Sequence, residues 1–514
     1  MRRGSITVFM SLTIMLVMSL FFTLAEGIHQ KLLSNQKTLL AIRTTENMEA
    51  MYNKILWEEF GILGVDAGFG RDCTGVTRFQ NKAEGYLWDA IQVESVDFCR
   101  FQDAALEVKN YAYITDQDGA AFIQEAVDQL KYQVADSLIE EWTGQFSKVT
   151  GDSEEMDDVE DLINKGKDAS EELEKSGEVK NTGYYTHRFK RSGVVPMVKT
   201  ENESIEGVEG ESEENKYEGE DNPLDTIDSL MSDGILSLAL PEGFEVSDAA
   251  ISISESDRVS GRTLNSGTAT DLSDASVAEQ LLLEQYFILT NQSAISDKGR
   301  DELKYEMEYI LCGKDSDREN LEGTLLRILA IREAENLLAI NNDPAKIAEA
   351  DSYAVAVTTA TATPYLFEAV KWGIIAVWAL IESVLDLRTI LDGGKVAILK
   401  TKAEWTSELL NFSSYLGAGK KAKESEIGLG YNDYLRILML FESKEKLTYR
   451  AMDLCEMVIR NTENYENFRM DHVLVKADMN YSFQASAVFF SFVPELQGKY
   501  SVYQTEEVNQ FSYL

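Results

Sequence analysis

The sequence predicts an α+β protein: an amino-terminal transmembrane helix that extends into a long helix, followed by a mixed body of helices and antiparallel strands with a mobile acidic insertion. Three observations carry this. Residues 6–25 form an uncharged run of 20. Apolar residues continue beyond it at helical spacing. Later segments alternate with a period of two, while an acidic stretch in the middle of the chain holds few apolar residues.

The chain begins Met1-Arg2-Arg3-Gly4-Ser5, and Ile6 to Ala25 reads ITVFMSLTIMLVMSLFFTLA. Twenty helical residues span about 30 Å, the thickness of a hydrocarbon core. The hydroxyls in the run can bond back to helix carbonyls. Arg2 and Arg3 precede the run and Glu26 follows it. Positive charge stays on the cytoplasmic side, so the expected orientation is a cytoplasmic amino terminus and an extracytoplasmic body in a single-pass membrane protein. Three readings of this end compete. One is a retained anchor, favoured because the run exceeds the core of a secretory signal, which is about 7–15 residues. The others are cleavage after Ala25, which Thr23-Leu24-Ala25 loosely fits, and cleavage after Gly4. Gly4, Ser5, Ala25 and Glu26 are therefore the candidate processing or anchor-boundary residues.

Past the run, Leu32, Leu33, Leu39, Leu40, Ile42, Met48, Met51, Ile55 and Leu56 extend the helical pattern to about Phe60, with an interruption open at Gly27. Leu87–Phe101 and Leu106–Ile114 read as strands, and Gly119–Phe146 as a helix. These make a first α+β region, 27–150, behind an anchor of 1–26. The segment 151–275 carries acidic clusters such as SEEMDDVED and reads as a largely disordered insertion, with a short strand pattern at Tyr184–Val198. A second α+β region, 276–514, is helix-rich. It has helices at Val277–Leu289, 318–340, from Pro344, and from Pro364 to Leu391. Leu303–Cys312 reads as a strand, 431–461 as one long helix, and Phe468–Val493 and Tyr500–Tyr513 as closing strands. Within the Pro364 helix, Trp372–Ile381 is uncharged for only ten residues. That is too short for a second span, so a buried core helix is expected.

With 88 acidic and 48 basic residues, the net charge is −40. So acidic a surface repels nucleic acid and anionic lipid heads, so neither is an expected partner. Cys73, Cys99, Cys312 and Cys455 show no metal-ligand spacing; Cys73 and Cys99 are close enough in sequence to bridge. His29, His187 and His472 are isolated. Asp116, Asp118 and Gly119 lack calcium-loop spacing and read as a turn and helix cap. Asp315 and Asp317 read as a helix start. Gly393-Gly394-Lys395 and Gly419-Lys420 lack the spacing of a phosphate loop. Glu382 and Asp386, one turn apart with Arg388 following, are the one pair suited to acid–base work, and a polar stripe neutralised by basic neighbours is the commoner arrangement. No catalytic residue, cofactor or metal is expected.

Several segments together resemble an uncharacterised Gram-positive family related to Tad-type (tight-adherence, Flp) pilus components, the TadE/TadG-like membrane-anchored proteins. They are Gly4-Ser5-Ile6-Thr7-Val8-Phe9 with Glu26-Gly27; Tyr52-Asn53, Leu56-Trp57 and Asp66; Thr115-Asp116, Asp118-Gly119 and Phe122. Further on they are Tyr305-Glu306, Glu308-Tyr309-Ile310 and Gly313-Lys314; Arg332-Glu333 and Asn336; Trp378-Ala379 and Glu382; and Tyr434-Leu435-Arg436. The resemblance implies a pilin-like amino-terminal helix. It also implies a pseudopilin-like or accessory part of a pilus or secretion apparatus, with that apparatus and the bilayer as partners. TadE-like pseudopilins carry Glu five residues after the glycine cleavage site, where this chain has Phe9; that departure stands against prepilin-peptidase processing. A surface adhesin or ligand-binding ectodomain, and an anchored hydrolase, are the alternative readings.

Overall fold

The computed structural model describes residues 2–71, 75–94, 100–133, 235–269, 277–360, 362–409, 412–415, 417, 419–489 and 502–513. They form a mixture of helices and one antiparallel sheet, preceded by a long apolar helix. The chain makes two compact units that interleave along the sequence, where composition divides it into consecutive segments. Unit 1 comprises Met1–Val134, Ser252–Tyr286 and Lys444–Leu514; unit 2 comprises Ala135–Ile251 and Phe287–Ser443.

Unit 1 opens with α1, Arg2–Glu49, unbroken through Gly27. At 1.5 Å per residue its 48 residues extend about 72 Å. The apolar half is exposed from Ile6 to Phe21. Thr13 and Thr23 return their hydroxyls to the carbonyls of Phe9 and Ser19, four residues back, at 2.9 and 2.7 Å. The second half is two-faced. Glu26, His29, Leu33, Leu40, Ala41, Thr44, Thr45 and Met48 are buried at the three- and four-residue spacing of one helical face.

That face lies on the sheet. Strand β3 (Val473–Ser486) is its centre, pairing antiparallel with β2 (Asp103–Tyr113) and β4 (Val502–Ser512). The two-residue β1 (Val65–Asp66) pairs with the start of β3. Ala477, Met479, Tyr481, Phe483 and Ala485 alternate into the core, as a half-covered strand requires. Thr45 of α1 shares a 2.9 Å hydroxyl contact with Tyr481, and Lys37 pairs with Glu507 of β4 at 2.9 Å.

Helix α2 (Lys54–Phe60) follows a chain reversal. The Asn53 side chain caps it, accepting from Ile55 and Leu56 N–H at 3.0 and 3.1 Å, and Gly61 ends it at φ 67°, where a side chain would also strike Gln129. The segment leaving α2, with glycines at 61, 64, 68 and 70, folds around Asp66, which accepts from Gly68 and Gly70 N–H at 2.8 and 2.6 Å. Helix α3 (Thr77–Glu94) takes the place of the first part of the strand expected at Leu87–Phe101, whose residues 95–99 lie outside the described residues. Phe79, Ala83, Leu87 and Ile91 are all buried at four-residue spacing, so the helical period wins over a short alternating run. Helix α4 (Asp116–Gln133) starts after a turn in which Gln117, Asp118 and Gly119 are left-handed. Asp116 ties that turn down, accepting from Tyr113 N–H at 2.7 Å and Gly267 N–H at 3.0 Å. The continuation to Phe146, the strand pattern at Tyr184–Val198, His187 and the Cys73–Cys99 pair lie outside the described residues.

The described part of the acidic insertion, 235–269, is packed rather than loose. Helix α5 (Ile235–Ala239) buries Ile235, Leu236 and Leu238 in unit 2. In unit 1, Arg262 sits between Glu456 and Asp471 at 2.8 and 2.5 Å. Helix α6 is Val277–Thr290.

Unit 2 is helical. Helix α7 (Glu306–Cys312) replaces the strand expected at Leu303–Cys312; Glu306 to Leu311 are all buried, which leaves no exposed face for a period to mark. Helix α8 (Asp317–Asn341) starts at the Ser316 cap, as Asp315 and Asp317 suggest. Asp317 is buried and accepts from Lys304 and Tyr305 N–H at 2.8 and 3.1 Å. Helices α9 (Pro344–Ala360) and α10 (Phe367–Leu391) form a hairpin, and α10 packs against α8. Val377–Leu391 is buried throughout, as expected of a core helix, while Trp372 nearer the start is 45% exposed. The single helix expected over 431–461 is two, α11 (Tyr431–Phe441) and α12 (Lys444–Arg460), broken at extended Glu442.

Candidate functional site

The candidate anchor-boundary residues all lie within α1. Gly4 and Ser5 are in its first turns, and Ala25 is half-buried in its middle. Phe9, where a pseudopilin glutamate would stand, is exposed on the apolar half. Glu26 is where the helix meets the body. It is 1% exposed, and its carboxylate accepts from Phe489 N–H at 2.7 Å and the Tyr503 hydroxyl at 2.9 Å, with His29 Nδ1 at 3.2 Å. Burial opposes its charge. The hydrogen bonds from Phe489, His29 and Tyr503 outweigh that and hold the carboxyl below its ordinary value. Phe22, one turn earlier, stacks on Phe489 at 6.4 Å between centroids. A lipid-length helix is thereby fastened to the end of β3 and the start of β4 by a buried anion at the first residue beyond the apolar run. Sequence reasoning placed Glu26 at the anchor boundary but could not see its partners on the sheet.

Unit 2 contains another concentration of titratable groups. Glu382 and Asp386 of α10 are both fully buried. Lys400 bridges them, at 2.5 Å from Asp386 and in direct contact with Glu382. Glu382 also accepts from Thr406 and Ser407 N–H at 3.0 and 2.8 Å. Arg332 of α8 donates to Asp386 at 3.0 and 2.7 Å, and Asn336 at 2.9 Å. Burial works against the Asp386 charge, but Arg332 and Lys400 keep its pKa below the ordinary range. Glu335, in contact with Arg332 and 3.3 Å from the Tyr434 hydroxyl, is pushed by burial to about 7. A general acid needs a raised pKa and a path to substrate. Glu382 and Asp386 are sealed and neutralised by basic neighbours, which makes them a fastening between helices. Arg388 turns elsewhere, donating to the carbonyls of Leu238, Tyr415 and Gly417 at 2.8, 3.0 and 2.7 Å.

Two further titratable groups are buried, which the sequence did not signal. Glu308, already noted among the resemblance residues, accepts from the Tyr431 hydroxyl at 2.6 Å and Ala294 N–H at 2.9 Å, and burial raises it to about 7. Lys346, unremarked, lies with its ammonium 3.1 Å from the centroid of the Trp405 ring, and burial lowers it to about 8. Among the described residues no cluster of three or more His, Cys, Asp or Glu could hold a metal ion. Among the described residues, Cys312 and Cys455 form no disulfide.

One described helix is long and apolar enough to cross a membrane, beginning at Ile6. No curated protein and no solved structure matches the chain significantly. Residues 213–485, just over half of the 514, match a family of unknown function, DUF5702, which takes in most of unit 2 together with α12 and β3; the chain belongs to this family.

Proposed function

We propose that this chain is a single-pass membrane protein whose body faces outward, and that it serves as a structural or assembly component of a Tad-type pilus or secretion apparatus. The observation that carries this reading is the continuity of α1. One helix is apolar for a bilayer's thickness and exposed over Ile6–Phe21, then turns a buried face to the sheet without a break. A helix built this way transmits position from membrane to body, which suits a scaffold. The sealed state of Glu382 and Asp386 favours action through packing and partner contacts over catalysis. The pilus association rests on the resemblance in sequence.

The test begins with amino-terminal sequencing and fractionation of the protein from its native cells. The expected product sediments with membranes, retains the residues before Ile6, and loses its body to protease added to cells stripped of their wall. A soluble product beginning at Glu26 would overturn the retained anchor, and a protected body would overturn the orientation. Association is read by cross-linking in those cells: capture of pilus or secretion-platform subunits is expected, and their absence from the cross-linked products sinks that part of the reading.

A further inference from the structure

Three side chains of complementary chemistry are shut together inside unit 2. Glu382 and Asp386 of α10 and Lys400 have side chains that are 0% exposed. Lys400 Nζ touches Glu382 Oε1 and stands 2.5 Å from Asp386 Oδ1, nearer than the roughly 2.7–2.9 Å of a charge-assisted hydrogen bond. The two oxygens of Asp386 differ. Oδ2 accepts from Arg332 Nε and Nη2 at 3.0 and 2.7 Å and from Asn336 Nδ2 at 2.9 Å. Among the described residues no donor meets Oδ1 at a hydrogen-bonding angle, close as Nζ is. Glu382 is held in place by the Thr406 and Ser407 N–H groups, and the ring of buried Trp405 lies 5.9 Å from Lys400 Nζ. An amine, a carboxyl group and a second carboxylate are thus in contact away from water.

We propose that Lys400 and Asp386 condense into an intramolecular amide, an isopeptide bond, with Glu382 carrying the protons. The ion pair is the starting state. Glu382 takes a proton from the Lys400 ammonium, and the freed amine forms a bond from Nζ to the Asp386 carboxyl carbon. The displaced electron pair settles on Oδ2, where Arg332 and Asn336 already donate and act as an oxyanion hole. Glu382 passes the protons leaving Nζ to Oδ1, the bond from the carboxyl carbon to Oδ1 breaks, and Oδ1 departs as water. Of the three ammonium hydrogens one stays on the amide and two leave in the water. One positive and one negative charge cancel, and nothing is oxidised or reduced. A carboxylate is a poor electrophile in water. Here Arg332 draws charge toward Oδ2 while Oδ1 is protonated, and fixed contact supplies an effective molarity on the order of 10⁵ M or more. Burial of the two ions is costly, so the neutral amide is favoured where the charged pair is not. In the product Oδ2 is the amide oxygen and keeps its donors, and Arg332 keeps Glu335 as a counter-ion. The link ties α10 to the segment that carries Lys400.

The test is a tryptic map of the unaltered full-length chain, read by tandem mass spectrometry after denaturation. Trypsin cuts after Lys371 and Arg388, and a substituted Lys400 resists it, so cleavage resumes at Lys402. The expected product is the 372–388 peptide joined to the 396–402 peptide, lighter than their sum by one water, with fragment ions that place the branch at Asp386 and Lys400. Separate linear peptides, with cleavage at Lys400 complete, overturn the proposal. So does a loss of water confined to the 372–388 peptide, which marks a cyclic imide. Neither outcome depends on a variant folding. Two substitutions then test the chemistry. Lys400→Arg keeps a positive charge and should give no branched peptide. Glu382→Gln keeps an acceptor but carries no proton, and should lower the branched fraction at least tenfold in protein whose circular dichroism matches the parent. A branched fraction equal to the parent's in Glu382→Gln overturns the part assigned to Glu382.

Discussion

Glu26 is a carboxylate immediately past a lipid-length apolar run, a place where a flanking charge ordinarily rests in water. Here it is buried and satisfied three times over. Its hydrogen-bonding partners on the sheet side are 463 and 477 positions away, so no local pattern could announce them. Removing it takes the acceptor from the part-buried Phe489 N–H and leaves the Tyr503 hydroxyl with Gln30 alone among the described residues. Glu26→Ala should therefore cost about 1–3 kcal/mol in urea unfolding of the solubilised protein, the usual penalty for removing a hydrogen-bonded buried carboxylate. Its folded pKa lies below the unfolded 4.5, so its contribution is full above 4.5 and is lost as pH falls through the folded value. The deficit of the variant should shrink below pH 4.5, and an undiminished deficit there would discount the charge. Glu308 has the opposite sign. Raised from 4.5 to about 7, it favours the fold most below 4.5 and does so less and less as pH climbs to 7. Glu308→Gln keeps an acceptor for Tyr431 and Ala294 but has no charge to desolvate. It should stabilise the protein at pH 8 by up to about 3 kcal/mol and make little difference at pH 4. Equal stability of the two proteins at pH 8 would mean the carboxylate is better solvated than its burial implies.

At the level of elements, legibility followed solvent exposure. Strands β2, β3 and β4 could be read because one face of each is wet, so polar and apolar residues alternate. Helix α7 could not, because Glu306 and Glu308 are buried along with Met307, Tyr309 and Ile310, and the pattern carries no polarity. For α3 the decisive residues, Phe79 and Ala83, precede the window that suggested a strand. The charged fastening of unit 2 was half visible: Glu382 and Asp386 share a helix, but Lys400, Arg332 and Asn336 come from other segments. The two faces of α1 give a direct check on the packing. Leu39 is 62% exposed while Leu40 is fully buried on the sheet side. Leu40→Ala should destabilise unit 1 by about 2–5 kcal/mol. Leu39→Ala should stay within about 0.5 kcal/mol. Comparable losses from both would mean that the outer face is covered too.

For the whole molecule, the same helix divides into a part that holds the body together and an apolar part that the body leaves exposed. No residue from Ile6 to Phe21 is buried by the protein, whereas the stripe from Glu26 to Met48 is integral to the core of unit 1. Membrane residence asks only for length and apolarity, while the core asks for particular side chains at particular angles. The two halves should therefore respond differently to replacement. Substituting an unrelated apolar helix of equal length for Ile6–Phe21 preserves the helical phase of Glu26 relative to the bilayer. The chain should then still float with membranes, and its urea midpoint should match that of the parent. An equally apolar replacement of 28–48 should abolish cooperative unfolding of unit 1, because the buried stripe would lose Leu33, Leu40 and Met48 in their native positions. A large fall in stability from the first exchange alone would show that the apolar half packs on protein, and would remove the main support for treating it as a simple membrane anchor. Unchanged stability with loss of cross-linking to the proposed pilus or secretion partners would locate partner recognition in the span itself.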